Sequence, residues 1–197
     1  MRFIIAIILL VLTGCGQKTI HSSKDEIGVI VAFLQTKYGS YISAGTPLVI
    51  KDTLSCALLG QSHEASTLSL LSGASDDIPE DLIKDFCDKN AKPQAVWPEL
   101  ALHIKVELVS GAELNAIFSA TRPQKPDGWD KFYAKYPKSP GVITISRVGF
   151  SRKGDRAMFY MGSQSHWLAG SGRIHIFRKQ HGKWVEEPYS FGPSWVS

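Results

Sequence analysis

Ser165 and His166 are neighbouring side chains of the types that serve as nucleophile and general base. In an extended segment consecutive side chains point to opposite faces, so the two need partners from elsewhere in the chain. Neither a Gly-x-Ser-x-Gly elbow nor a Ser-x-x-Lys occurs. His63-Glu64 opens like the zinc-helix motif, but Thr67 stands where the second histidine is required. Gly170-x-Gly172 is half of a phosphate-loop pattern, lacking the third glycine and a following helix, and a Gly-rich hairpin accounts for it more simply. On the strand expected around them, Arg173 and His175 lie opposite Ile174 and Ile176, toward solvent or a cleft. With Trp167 and Lys179 they are the binding candidates. These patterns assign no catalytic residue, metal ligand or cofactor. A hydrolase gathering His103, His166 or His175 with a distant carboxylate is the second reading.

Charge is unevenly placed. Residues 111–197 carry 13 Lys/Arg against 6 Asp/Glu, net +7, whereas residues 15–110 carry 8 against 12, net −4. A basic C-terminal half suits an anionic partner such as lipid headgroups, a protein, a peptide or an envelope polymer. The acidic segment Asp76 to Asp88 offers the alternative, neutralisation of those cations within the fold.

Eleven of the first 12 residues are apolar, all but Arg2, and the run stops at Thr13-Gly14-Cys15. An apolar core from Phe3 to Leu12 is too short to span a hydrocarbon layer that needs about 20 residues, so residues 1–14 read as a signal peptide. Leu12-Thr13-Gly14-Cys15 resembles the bacterial lipobox. That resemblance implies cleavage before Cys15, lipidation of its sulfur and acylation of the new N-terminus, a two-chain anchor. Gly16 rather than Asp follows, which implies the outer membrane, facing the periplasm. Residues 15–22 then form a short lipidated tether and nucleic acid is not an expected partner.

With Cys15 given to lipid, Cys56 and Cys87 remain as an even pair in an oxidising compartment. A disulfide between them closes a loop of about 30 residues and stabilises by roughly 3.5 kcal/mol on the chain-entropy argument. Two buried thiols are the alternative.

The elements that position these groups follow from periodicity. Ser23 to Tyr38 predicts a helix with a Ser23-x-x-Glu26 capping box, a stripe of Ile27, Ile30, Val31 and Leu34, and Gly39 as its stop. Leu48 to Leu54 predicts a strand, and the Ser/Thr-rich residues 55–75 a surface loop. Asp77-Ile78-Pro79-Glu80 predicts a capped helix start, with Leu82, Ile83, Phe86 and Cys87 on one face. Alternation over Ala101 to Val109 predicts an antiparallel strand, Ser110 to Glu113 a third capping box, and Asp127 the cap of a helix through Trp129, Phe132 and Tyr133. Four strands follow, Val142 to Phe150, Ala157 to Met161, Arg173 to Arg178 and Trp184 to Glu187. The expected fold is α+β, one domain over residues 23–197, with helices packed on one face of a mainly antiparallel sheet that ends in a four-strand meander.

Trp129-x-x-Phe132-x-x-x-Tyr136-Pro137, Ser146-Arg147-Val148-Gly149-Phe150, Lys179-x-x-Gly182-Lys183-Trp184 and Trp195-Val196-Ser197 resemble a family of uncharacterised bacterial secreted proteins over residues 129–197. Two loop cysteines typical of that family are replaced here in Ser165 to Gly172. The resemblance implies an autonomous fold, aromatic residues that serve the core, and no catalytic residue. The expected protein is thus a membrane-anchored envelope lipoprotein that binds through its basic C-terminal sheet.

Overall fold

A computed structural model describes residues 21–54, 77–119, 126–188 and 195–196, the last two as backbone. The first helix, α1 (Ser23–Ser43), is capped by Ser22, whose hydroxyl accepts from the Asp25 amide while the Asp25 carboxylate accepts from the Ser22 amide. The box therefore sits one residue earlier than the sequence spacing suggested, which frees Glu26. The helix also runs past Gly39: a kink at Tyr38 (φ −118°, ψ 21°) absorbs the irregularity, and the turn is completed at Gly45 with φ +70°. His21 and Ser22, assigned by sequence to the tether, pack on the domain.

β1 (Leu48–Lys51) is central. Leu48, Val49 and Ile50 are all fully buried, as a strand covered on both faces requires. It runs parallel to β4 (Val106–Val109) on one side and to β5 (Val142–Ile145) on the other. The alternation through Ala101 to Val109 is thus a strand only in its second half. Pro98–Leu102 forms a 3-10 turn, Leu102 is 81% exposed, and the strand is parallel rather than antiparallel. Pro98 explains the loss, because proline enters a helical first turn readily and cannot donate to a ladder. β2 (Thr53–Leu54) and β3 (Gln94–Ala95) form a separate two-stranded ribbon.

Beyond β5 the chain forms the meander. β5 and β6 (Gly149–Phe150) both pair antiparallel with β7 (Arg156–His166), which pairs with β8 (Ala169–Gln180), which pairs with β9 (Lys183–Glu186). β10 (Trp195–Val196) adds to the other end of β8. The β7–β8 hairpin is longer than its sequence suggests. Gly162 to Gly172 reads as a loop because small polar residues dominate it, yet the ladder continues to His166 and turns on Trp167 and Leu168.

The other helices are α2 (Glu80–Asn90), α3 (Gly111–Phe118) and α4 (Gly128–Lys135). Asp127 caps α4 through the amides of Trp129 and Asp130 (2.8 and 3.0 Å), and Ser110 caps α3 through the Glu113 amide. α2 departs from expectation: its cap position is Pro79, and no side chain caps it.

The molecule is a single α+β domain with a mainly antiparallel mixed sheet, but the helices do not share one face. α1 covers Leu48, Ile50, Ile143, Ile145, Phe159, Met161 and Phe177. α2 covers Met158, Tyr160, Ile174 and Ile176 on the opposite face, where α3 and α4 cover Val49, Val109 and Val142. Strand alternation forces this outcome: β7 and β8 are buried at successive positions, 157–161 and 174–177, all apolar except His175, and both faces must be removed from water. A helix layer on one side alone leaves Met158, Tyr160, Ile174 and Ile176 exposed.

Candidate functional site

The run Ser146 to Phe150 is where the layers are joined. The Ser146 hydroxyl accepts from the Tyr160 amide at 2.8 Å. Arg147 reaches α1, its Nε donating to Glu26 at 2.8 Å and its Nη2 to the other oxygen at 2.5 Å, and the Val148 amide donates to Glu26 at 2.9 Å. Glu26 is fully buried, and the hydrogen bond and charge of its carboxylate hold the Arg147 guanidinium above its ordinary pKa. Gly149 admits the backbone of α2: a Cβ there would lie 2.5–2.6 Å from Cβ, Cα and N of Phe86. The Phe150 amide donates to Asp85 at 2.8 Å. A carboxylate saturated by three donors and closed from solvent is a structural anchor, not an acid or base poised for substrate.

His175, taken from the sequence to face solvent or a cleft, is 1% exposed. It does lie opposite Ile174 and Ile176, but α1 covers that face, setting Phe33 at 4.4 Å with Phe159 at 5.7 Å between ring centroids. Its Nδ1–H donates to Glu186 on β9 at 2.5 Å. Burial holds the imidazole below its ordinary pKa against the raising effect of Glu186, and Arg173 and Lys37 act in the same direction as burial. Neutral imidazole donating to a carboxylate is the state this environment favours.

Trp167 is half-buried at the hairpin turn. Its indole donates to Asp127 at 3.0 Å and its ring meets Phe118 edge-on at 5.9 Å, so it clamps the hairpin to the cap of α4. Ser165 donates to the Ala169 carbonyl at 3.3 Å, and His166 lies parallel to Trp129 at 6.4 Å. Along β7, His166 is seven residues from Phe159, the partner of His175, a separation of about 23 Å at ~3.3 Å per residue. His103 is exposed at the end of the 3-10 turn. The three histidines are thus not gathered, and His175 alone meets a carboxylate among the described residues. Also among the described residues, no group of three or more His, Cys, Asp or Glu could hold a metal ion. Cys15, Cys56, His63 and Glu64 lie outside the described residues. Cys87 is half-buried against the α2 core.

Arg173 and Lys179 are exposed, and the Lys179 ammonium lies 5.4 Å from the Trp184 ring centroid. Other cations of the C-terminal half are engaged within the fold: Arg156 and Arg178 with Glu187, Lys135 with Glu113, Arg147 with Glu26. Lys135, followed by the Tyr136 hydroxyl, holds the Glu113 carboxylate below its ordinary range. α2 lays Asp81 and Asp85 against the Arg152 and Phe150 amides, so part of the acidic segment does meet the basic sheet.

One open feature runs beside α1. A groove of about 510 Å³ lies between the outer side of the helix and the β8–β9 turn, lined by Gly28, Ala32, Gln35 and Thr36 on one wall and Gly182, Lys183 and Trp184 on the other. Gly28, Ala32 and Thr36 recur every four residues, so small side chains form that wall, and no atom lies within 4 Å of a Cβ placed at Gly28. Lys37 follows Thr36 on α1, and the Lys179 ammonium lies over the Trp184 ring of the opposite wall. No sequence signal pointed to the groove, because it arises from α1 and β9 meeting across 150 residues of chain.

Compared with known proteins, the chain matches no family model, no curated protein and no solved structure.

Proposed function

We propose that this chain is a non-enzymatic lipoprotein of the bacterial envelope, anchored through lipid on Cys15, that binds an extended anionic protein, peptide or envelope polymer in the groove between α1 and β9. The basic sheet face that sequence offered for this role is covered by α1, which moves the contact surface to the seam at its edge. What carries the reading is the groove itself, with small side chains on one wall, Lys183 and Trp184 on the other, Lys179 over the Trp184 ring and Lys37 next to Thr36 on α1. Small residues allow a partner's backbone to come close, the indole offers an apolar surface, and the cations favour a negative ligand.

A photocrosslinking amino acid in place of Thr36, in the lipidated protein in its own cells, tests this reading. Expected is a discrete adduct that disappears when Lys179→Glu and Lys183→Glu are combined, with none from the same probe at Lys84 on α2. Adducts indifferent to the charge reversal, or no adduct at Thr36, contradict the reading.

A further inference from the structure

The place where the anchor segment joins the fold is fixed. His21 stacks on Phe150 with ring centroids 4.2 Å apart, and its ring lies against Gly154 in the turn between β6 and β7. The β8–β9 turn stands at the same end, because Arg156 pairs with Arg178 and the Lys179 amide donates to the Asp155 carbonyl at 2.7 Å. Only six Cα steps separate Cys15 from His21, a reach of about 20 Å at most. The Trp167-Leu168 turn lies at the far end of an 11-residue β7, about 36 Å away at ~3.3 Å per residue.

The near end carries exposed Lys24, Arg152, Lys153, Lys179 and Lys183. Asp25, Asp77, Glu80 and Asp155 are exposed at this end too, but Asp25 accepts from the Ser22 amide and Asp155 from the Ser151 hydroxyl, while half-buried Asp81 accepts from the Arg152 amide. Two of the cations, Arg152 and Lys153, lie in the turn against which His21 packs.

We infer that this end is a membrane-docking face: the Arg152-Lys153 turn, with Lys179 beside it, lies on anionic phospholipid headgroups and holds the domain upright on its anchor. The inference rests on the lipid-anchor reading for its orientation. The occupant is the bilayer surface because the anchor brings that surface within 20 Å of these cations, whereas a soluble partner has no such constraint. Each cation near an anionic leaflet strengthens association roughly fivefold, so three together act as an appreciable second signal beside the lipid.

The test uses unlipidated chain 15–197, which contains every described element, sedimented with vesicles of phosphatidylcholine alone or with about one third phosphatidylglycerol. Expected is binding to the anionic vesicles only, weakening as salt rises. Arg152→Gln, Lys153→Gln and Lys179→Gln together lower it on the order of a hundredfold. Lys105→Gln, Lys131→Gln and Lys138→Gln, which remove the same charge elsewhere, leave it within a few fold. No preference for anionic vesicles, or equal losses in the two triple variants, overturns the inference. Because this assay contains no lipid on Cys15, its failure leaves the anchor reading standing. Failure of the anchor shows instead in the mass of the N-terminal peptide.

Discussion

Replacing Glu26 with alanine strands the Arg147 guanidinium against α1 and leaves the Val148 amide without its acceptor. The carboxylate is fully buried and accepts three hydrogen bonds, while the Arg147 side chain keeps 18% of its surface. Removing one member of a buried ion pair costs about 3–5 kcal/mol, and the residual exposure of Arg147 favours the lower end, about 3 kcal/mol. For a domain of this size that corresponds to a fall in Tm of roughly 6–12 °C. Thermal unfolding followed by circular dichroism, with urea titration for the free energy, reads the effect. Glu26→Leu combined with Arg147→Met removes both charges and is expected to recover much of the loss, with a coupling energy of at least about 1.5 kcal/mol in the double-mutant cycle. A loss below about 1 kcal/mol for Glu26→Ala, or additive losses in the double variant, refutes the reasoning.

Three further outcomes follow from the packing. His175 has a folded-state pKa below its unfolded value, so the unfolded chain binds the proton first as pH falls. The contribution of neutral His175 is fully present above about 6.5 and is lost progressively below it, down to the lowered native value. His175→Phe should flatten the stability curve over that window, and an unchanged difference between variant and parent from pH 7.5 to 5 contradicts the burial argument. Gly149→Ala drives a Cβ into the backbone of α2 and should destabilise by about 2–4 kcal/mol in urea titration, whereas Gly28→Ala, on open surface, should lie within about 0.5 kcal/mol of neutral once helix propensity is allowed for. We propose a Cys56–Cys87 disulfide on the same reading that places the chain in the envelope: peptide mapping without reductant then recovers the two linked, and reduction lowers stability by up to roughly 3.5 kcal/mol. Recovery of both as thiols from the envelope removes that proposal.

The fold was legible in sequence wherever periodicity and local chemistry agreed. The aromatic stripe of α4, its Asp127 cap and the meander of β5 to β9 all follow from apolar spacing and turn residues, because local contacts determine them. What was illegible depends on partners distant in the chain. Glu26 looked like the closing member of a capping box, and only the meeting of α1 with residue 147 shows that Asp25 has that role while Glu26 anchors Arg147. Likewise His175 sits on the face opposite two isoleucines, which by itself suggests solvent; the consecutive apolar residues of β7 were the signal that both faces are covered. Ala101 to Val109 alternated well, but the 3-10 turn opened by Pro98 took its first half out of the sheet, and only Val106–Val109 pair, in parallel, with β1. Of the four binding candidates, Arg173 and Lys179 remain on the surface, while Trp167 and His175 hold the fold together.

The account depends first on attachment of this domain to a membrane at Cys15, and mass spectrometry of the N-terminal peptide from membrane-extracted protein examines that step without intermediaries. The account predicts a mature chain beginning at Cys15, with a diacylglyceryl group on sulfur and an acyl chain on the amine, and release from the membrane fraction in Cys15→Ser. A chain that retains residues 1–14, or one that carries an unmodified Cys15 and still fractionates with membranes, contradicts it.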